Sequence, residues 1–206
     1  MKAIIFDADG MLNKATKFST RYTKDFNIPI ETMLPFFQGP FQDCLIGKAD
    51  LKEELSKHLQ TWKWDEPVET LLNYWFERGN KLNGNLIQKI KLLKQQGIKC
   101  YLATNNEKYR TNYMIKKLGF NELFDNIFSS ADLHCKKPEP DFYEKMLRSI
   151  QKETRLESHH IQFWDDDEKN VRGAKLFGLK AHQYTDNLHF NEVIASVLPR
   201  TQDTRE

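Results

Sequence analysis

Three cysteines in 206 residues, Cys44, Cys100 and Cys135, are too few and too scattered for a disulfide framework or a cysteine-built zinc site. Their scarcity fits a reducing, cytoplasmic compartment, with Cys100 as a small core residue in an apolar strand. Long apolar runs are missing as well. The longest is a few residues, whereas a membrane span needs about 20, so no membrane contact is expected. The first apolar run reaches Asp7 too early for a secretory leader. Charge of one sign is also lacking: 31 Lys and Arg against 29 Asp and Glu leave a net charge of +2, without a basic block. That balance argues against a nucleic-acid surface. The six histidines show no metal-ligand spacing, and there is no internal repeat or low-complexity stretch. What is present is apolar and aromatic content, 39% and 12%, enough for a buried core in one domain with a smaller insert.

The rhythm of the chain changes twice. A short strand, Lys2 to Phe6, is followed by helical and loop-like patterns up to Gly79. Within them Asp50 and Glu53 mark a helix start, and Asp65-Glu66-Pro67 opens a helix with the stripe Val68, Leu71, Leu72, Trp75 and Phe76. After Asn83-Gly84, strands at 98–103, 127–128, 161–164 and 180–183 alternate with helices at 85–96, 108–118, 141–151 and 170–177. Gly97, Gly119 and Gly178 stand as left-handed caps. This alternation predicts an α/β fold, a parallel sheet with helices on both faces, interrupted by a small helical insert. The predicted boundaries are a core of 1–13 and 84–200, an insert of 14–83 and a flexible tail of 201–206. The aromatics Phe36, Phe37, Phe41, Trp62, Trp64 and Trp75 read as the core of that insert.

Ligands of open parallel sheets bind beyond the carboxyl ends of the strands. Four segments lie there or in the loop beyond. Asp7 and Asp9, two apart in extended chain, point to one side. A carboxylate can attack phosphorus, and a second can pass a proton to the leaving oxygen. Gly10 lets the chain turn away. Thr104 and Asn105 offer a hydroxyl, an amide and backbone N–H donors for phosphate oxygens. Lys137, stiffened by Pro138 and Pro140, offers a cation for the transferring group, while its neighbour Lys136 reads as solvated. Asp165 and Asp166 follow an apolar strand and with Asp7 form a hard oxygen site suited to Mg²⁺. Asp7, Asp166 and a phosphate dianion bring about four negative charges together, and a divalent ion with Lys137 returns about three.

These segments, Asp7-Ala8-Asp9-Gly10-Met11, Thr104-Asn105, Lys137-Pro138-Glu139-Pro140 and Trp164-Asp165-Asp166-Asp167 running on through Asn170 to Gly178, resemble the four motifs of the haloacid dehalogenase-like (HAD) superfamily. They stand in family order and span nearly the whole core. The insert is similar to the helical cap of the subfamily that includes β-phosphoglucomutase and small-metabolite phosphatases. The resemblance implies a Rossmann-like core with a cap that closes over the substrate. It makes Asp7 the nucleophile and Asp9 the general acid/base, with Thr104, Asn105 and Lys137 on the phosphoryl group. Mg²⁺ would lie on Asp7, the Asp9 carbonyl and Asp166, with Asp165 assisting. The implied activity is hydrolysis of a small phosphorylated metabolite, a sugar phosphate among the options, by a monomer or weak homodimer. Dehalogenase members lack the second aspartate, so Asp9 speaks against carbon–halogen cleavage. In the mutases a cap arginine holds a second phosphate. Here Gln42 stands near that place, which counts against a mutase, with Lys48 as an alternative charge. Arg21 and Lys14 are further cap-side cations. A phosphomutase and a non-catalytic binding protein remain the alternatives.

Overall fold

The computed structural model describes residues 2–197. The predicted tail 201–206 and the boundary at 200 lie outside them. Strands β1 (Ala3–Phe6), β2 (Lys99–Thr104), β3 (Asn126–Ser129), β4 (Ile161–Asp165) and β5 (Lys180–Gln183) form one sheet in the order β3-β2-β1-β4-β5, paired in parallel throughout. The helices are α1 (Phe18–Phe26), α2 (Leu34–Gln38), α3 (Pro40–Leu45), α4 (Leu51–Ser56), α5 (Val68–Arg78), α6 (Gly84–Gln95), α7 (Lys108–Lys116), α8 (Phe120–Leu123), α9 (Ser130–Leu133), α10 (Pro140–Thr154), α11 (Glu168–Leu176) and α12 (Asn187–Val197). Among the described residues, no helix is long and apolar enough to cross a membrane.

β1 is central, so both of its faces must be covered. Ile4 and Phe6 face a cluster with Leu86 and Ile90 of α6 and with Phe190 of α12. Ala3 and Ile5 face the opposite cluster, with Phe142 and Met146 of α10 and Ala174 of α11. The period of two in an unbroken apolar strand thus feeds two layers of helices. Helices α1–α5 instead build a third cluster around Tyr22, Met33, Phe36, Leu55, Trp62 and Leu71. Asp50 caps α4, accepting from the N–H groups of Lys52 and Glu53 at 2.9 and 3.3 Å.

The chain leaves the sheet layer beside the place where it returns. Lys14 donates its N–H to the Lys81 carbonyl at 2.9 Å, and Asn83 to that of Leu12 at 2.8 Å. The Asn13 carboxamide ties the crossings together, donating to the Gly79 carbonyl and accepting from the Lys81 N–H, both at 2.8 Å.

Element boundaries differ in instructive places. Thr104 and Asp165 belong to their strands, because ladder pairing continues to Ser129 and Gln183. Pro67 sits one position before α5 instead of inside its first turn. Helix α12, which the sequence reading did not include, adds Phe190 and Ile194 to the core.

Candidate active site

Asp7 is the first residue past β1, fixed there by its N–H donating to the Trp164 carbonyl at 2.9 Å. Below it lies Lys137, with its side chain only 1% exposed. The ammonium donates to Asp7 Oδ1 and Asp165 Oδ2, each at 2.6 Å, and to the Ala103 carbonyl at 2.7 Å. All three of its protons are therefore placed. Burial pushes the Lys137 ammonium down, but Asp165 and Asp7 more than offset this and hold it above the ordinary lysine range. Burial also raises the Asp7 carboxyl well above the usual carboxylate range, with Lys137 opposing and Asp165 reinforcing the rise.

Asp165 holds the lysine. Its Oδ1 accepts from the Asn170 carboxamide at 3.0 Å and from the Asp167 N–H at 2.9 Å, while its Oδ2 accepts from Lys137. Asp166 is exposed to the cleft, and its carboxyl is raised by burial and by Asp165. Oxygens of Asp7, Asp165 and Asp166 lie within 4.8 Å of one another. Such a cluster with one lysine carries excess negative charge and fits a hard divalent cation. Because the oxygens of Asp165 are engaged, Asp7 and Asp166 offer the freer lone pairs.

Asp9 points into the opening, with its side chain 55% exposed. Its oxygens accept from Asn106 at 3.0 Å and from Asn13 at 3.3 Å, and the Arg110 guanidinium stands 3.9 Å away. The other contact of Asn106 is the buried Thr104 hydroxyl, to which it donates at 2.6 Å. Asn106 therefore couples the strand-end hydroxyl to Asp9. Asn105 is turned elsewhere. Its carboxamide donates to the Lys137 carbonyl and accepts from the Lys137 N–H, both at 2.8 Å, so it clamps the lysine loop. This corrects the expectation that its amide grips phosphate. The donors left for an anion include backbone groups. Among the described residues, the N–H groups of Asn105 and Asn106 meet no protein acceptor.

Gly10 adopts φ +90°, and a Cβ there would collide with the Asp166 carboxylate. Gly10→Ala is expected to displace that carboxylate and lower phosphate release about 10–100-fold with the fold retained. Steady-state rates alongside circular dichroism check this, and an unchanged rate would remove Asp166 from the reaction.

Above Asp9 and Asp166 opens a cavity of about 630 Å³ between the sheet and α1–α5. Phe18, Phe37, Phe41, Trp75 and Phe76 wall it, so half of the aromatics expected in the helical core pack against that core and border the cavity as well. Lys17, Arg21 and Arg110 are the cations of its lining, and Asp9, Glu107 and Asp166 are the acids. Gln42 and Lys48 do not line it. The Gln42 carboxamide donates to the Phe37 carbonyl at 2.6 Å and accepts from Lys136 at 2.7 Å. Lys136 is thus a tether between layers and not a solvated side chain. Lys48 lines a separate cavity of about 220 Å³ with Asp50, Glu107 and Tyr109. Asn13 and Arg110 carried no sequence signal of their own, while Asn106 stood only as the end of the Thr104-Asn105-Asn106 segment. Asn13 lies two residues beyond Met11 and Arg110 five beyond Asn105, so only the neighbouring motifs marked the region.

Comparison with known proteins agrees with this geometry. The chain is similar to the phosphoglycolate phosphatase of Mannheimia succiniciproducens, at 25% identity over 96% of this chain and 92% of that one. In structure it is similar to a predicted HAD-like hydrolase from Porphyromonas gingivalis, with TM-score 0.78 and 19% identity over 98% and 99% of the two chains. It also resembles HAD family enzyme BT-2542 from Bacteroides thetaiotaomicron in complex with magnesium and inorganic phosphate, with TM-score 0.74 and 16% identity over 92% and 98%. The model of the haloacid dehalogenase-like hydrolase family matches residues 4–183, from the first sheet strand to the last, and the chain therefore belongs to the haloacid dehalogenase-like hydrolases.

Proposed function

We propose that the protein is a Mg²⁺-dependent phosphatase of a small phosphorylated metabolite, acting through an aspartyl phosphate on Asp7. The observation that carries this reading is the pairing of a buried, lysine-held carboxylate with an open one. Asp7 is fixed by Lys137, and Asp9 is presented to the cavity by Asn106 and Asn13. The magnesium-and-phosphate complex of BT-2542 and the phosphoglycolate phosphatase name support it by analogy.

The Asp7 carboxylate attacks phosphorus, forming a carboxyl O–P bond as the ester P–O bond breaks, and Asp9 gives its proton to the departing oxygen. Asp9 then takes a proton from water as the water oxygen attacks phosphorus and Asp7 departs as carboxylate. Backbone N–H groups of Asn105 and Asn106, the Thr104 hydroxyl and Lys137 offset charge on the equatorial oxygens. Mg²⁺, held by Asp7, Asp166 and the Asp9 carbonyl, supplies charge neutralisation of the phosphoryl group when bound. Residues 14–83 act as a lid on the core formed by 1–13 and 84 onward. The side-by-side crossings at Asn13 and Lys81–Asn83 serve as its hinge, and closure excludes water from the first step. Three unpaired, buried cysteines suit a cytoplasmic location.

The test is phosphate release from an aryl phosphate with Mg²⁺ and with EDTA. Release that persists at full rate in EDTA, or none with any of a broad panel, would sink the proposal. Asp9→Asn is expected to lower kcat about 10²–10⁴-fold while the variant still forms the aspartyl phosphate more readily from esters with acidic leaving groups. An equal loss for good and poor leaving groups removes the proton-transfer role.

A further inference from the structure

We infer that the substrate carries a second anionic group, a carboxylate or another phosphate, which seats on Arg110. This inference rests on the phosphatase reading and narrows its substrate class.

Arg110 lies on α7, three residues after Glu107, which caps that helix by accepting from the N–H groups of Tyr109 and Arg110 at 2.6 Å each. Its side chain is only 10% exposed, yet it borders the large cavity. Among the described residues its contacts are weak: a 3.4 Å donation from Nη1 to the Phe76 carbonyl, and Asp9 at 3.9 Å, beyond hydrogen-bond reach. Among the described residues, no protein acceptor meets its Nε or Nη2 within hydrogen-bond reach. The ring centroids of Phe76 and Tyr113 lie 5.6 and 5.5 Å from the guanidinium carbon.

A guanidinium in this setting has lost water without gaining a fork-shaped partner, and burial lowers its pKa despite the pull of Asp9. A planar carboxylate or a phosphate matches its two free donors. Arg21 is different. It donates to the Trp75 and Thr16 carbonyls at 3.1 and 3.4 Å, so it is bound into the lid. Lys17 also borders the cavity, but it is an exposed lysine of the α1–α5 side. Arg110 comes from the core, beside Asp9, and is the buried cation with donors free to read the leaving group. The apolar walls at Phe37 and Trp75 cannot compensate a charge, so an ionised leaving group is favoured where it turns towards Arg110.

The experiment compares kcat/KM for 3- and 4-carboxyphenyl phosphate with their carboxamide isosteres, and for phenylene bisphosphate, in wild type, Arg110→Gln and Arg110→Lys. At least one ionised leaving group is expected to exceed its neutral isostere about 10-fold or more, mostly through KM. Arg110→Gln should erase that ratio, and Arg110→Lys should keep part of it. Preference for the carboxyphenyl esters or for the bisphosphate identifies which anion is read. Turnover of all esters without preference, or a preference that survives Arg110→Gln, overturns the inference and leaves the phosphatase reading standing. No turnover of any ester removes both. The ratio is taken within each variant, so a general loss from disturbing Asp9 cancels.

Discussion

Asp7→Asn is expected to eliminate phosphate release, by about 10⁴-fold or more, in a protein that folds normally. The isosteric amide still accepts a hydrogen bond from Lys137 and fits the same volume, so the strand end and the lysine stay in place. What is lost is the nucleophilic oxygen and one of the charges facing Asp166. Steady-state release and a single-turnover burst separate the two losses. If metal binding alone were impaired, raising Mg²⁺ would restore the rate. If the attacking oxygen is missing, saturation with Mg²⁺ leaves the rate at background. A variant within 10-fold of wild type at saturating Mg²⁺ would contradict the assignment of Asp7.

The second large effect is on stability. Lys137→Met removes the cation between Asp7 and Asp165 and leaves two carboxyls buried against each other. Breaking a buried pair on one side costs about 3–5 kcal/mol, a large fraction of what holds a domain folded. Because a divalent ion can stand in for the lost charge, the unfolding curves are recorded in EDTA. The pH dependence has a definite sign. Asp7 is held above its ordinary value by burial even with the lysine present. Without the lysine its folded pKa lies higher still. A carboxyl whose folded pKa exceeds the unfolded one contributes stability below the unfolded value and loses it as pH rises through the folded value. The deficit of Lys137→Met relative to wild type is therefore larger near pH 8 than near pH 5. Urea unfolding at both pH values reads this directly, and a variant as stable as wild type near pH 8 would show that the lysine is dispensable to the fold.

The strand-end positions of Asp7, Thr104 and Asp165 were legible because unbroken apolar strands give way there to polar residues. An open parallel sheet then gathers those ends without further information. Partnership was less legible. Thr104 and Asn105 look equivalent as phosphate donors, yet the chain turns at this strand end and sends one side chain towards Asn106 and the other to the Lys137 loop. The fates of Phe36 and Phe37 also differ, one in the core and one on the cavity wall, because α2 is a single short turn with too little length for a period to choose a face. Gln42 and Lys48 follow glycines in the lid, and nothing local tells which of the two layers such a side chain will meet. Arg110 was invisible for a related reason. Its importance comes from what its neighbours fail to offer it, and this is a property of the packed structure.

The central place of β1 has one more consequence, for the order of events in folding. Its ladder partners are residues 99–102 on one side and 161–164 on the other, so β1 has no local partner. Ala3-Ile4-Ile5-Phe6 must wait, apolar and unpaired, for β2, and its second edge must wait further for β4. Asp7 is thus made well before the β4 carbonyl that fixes it. Nascent chains ending near residue 150 hold Asp7, Asp9, Thr104 and Lys137 but lack the β4 edge that fixes Asp7, and they depend on protection from aggregation instead of on their own sheet.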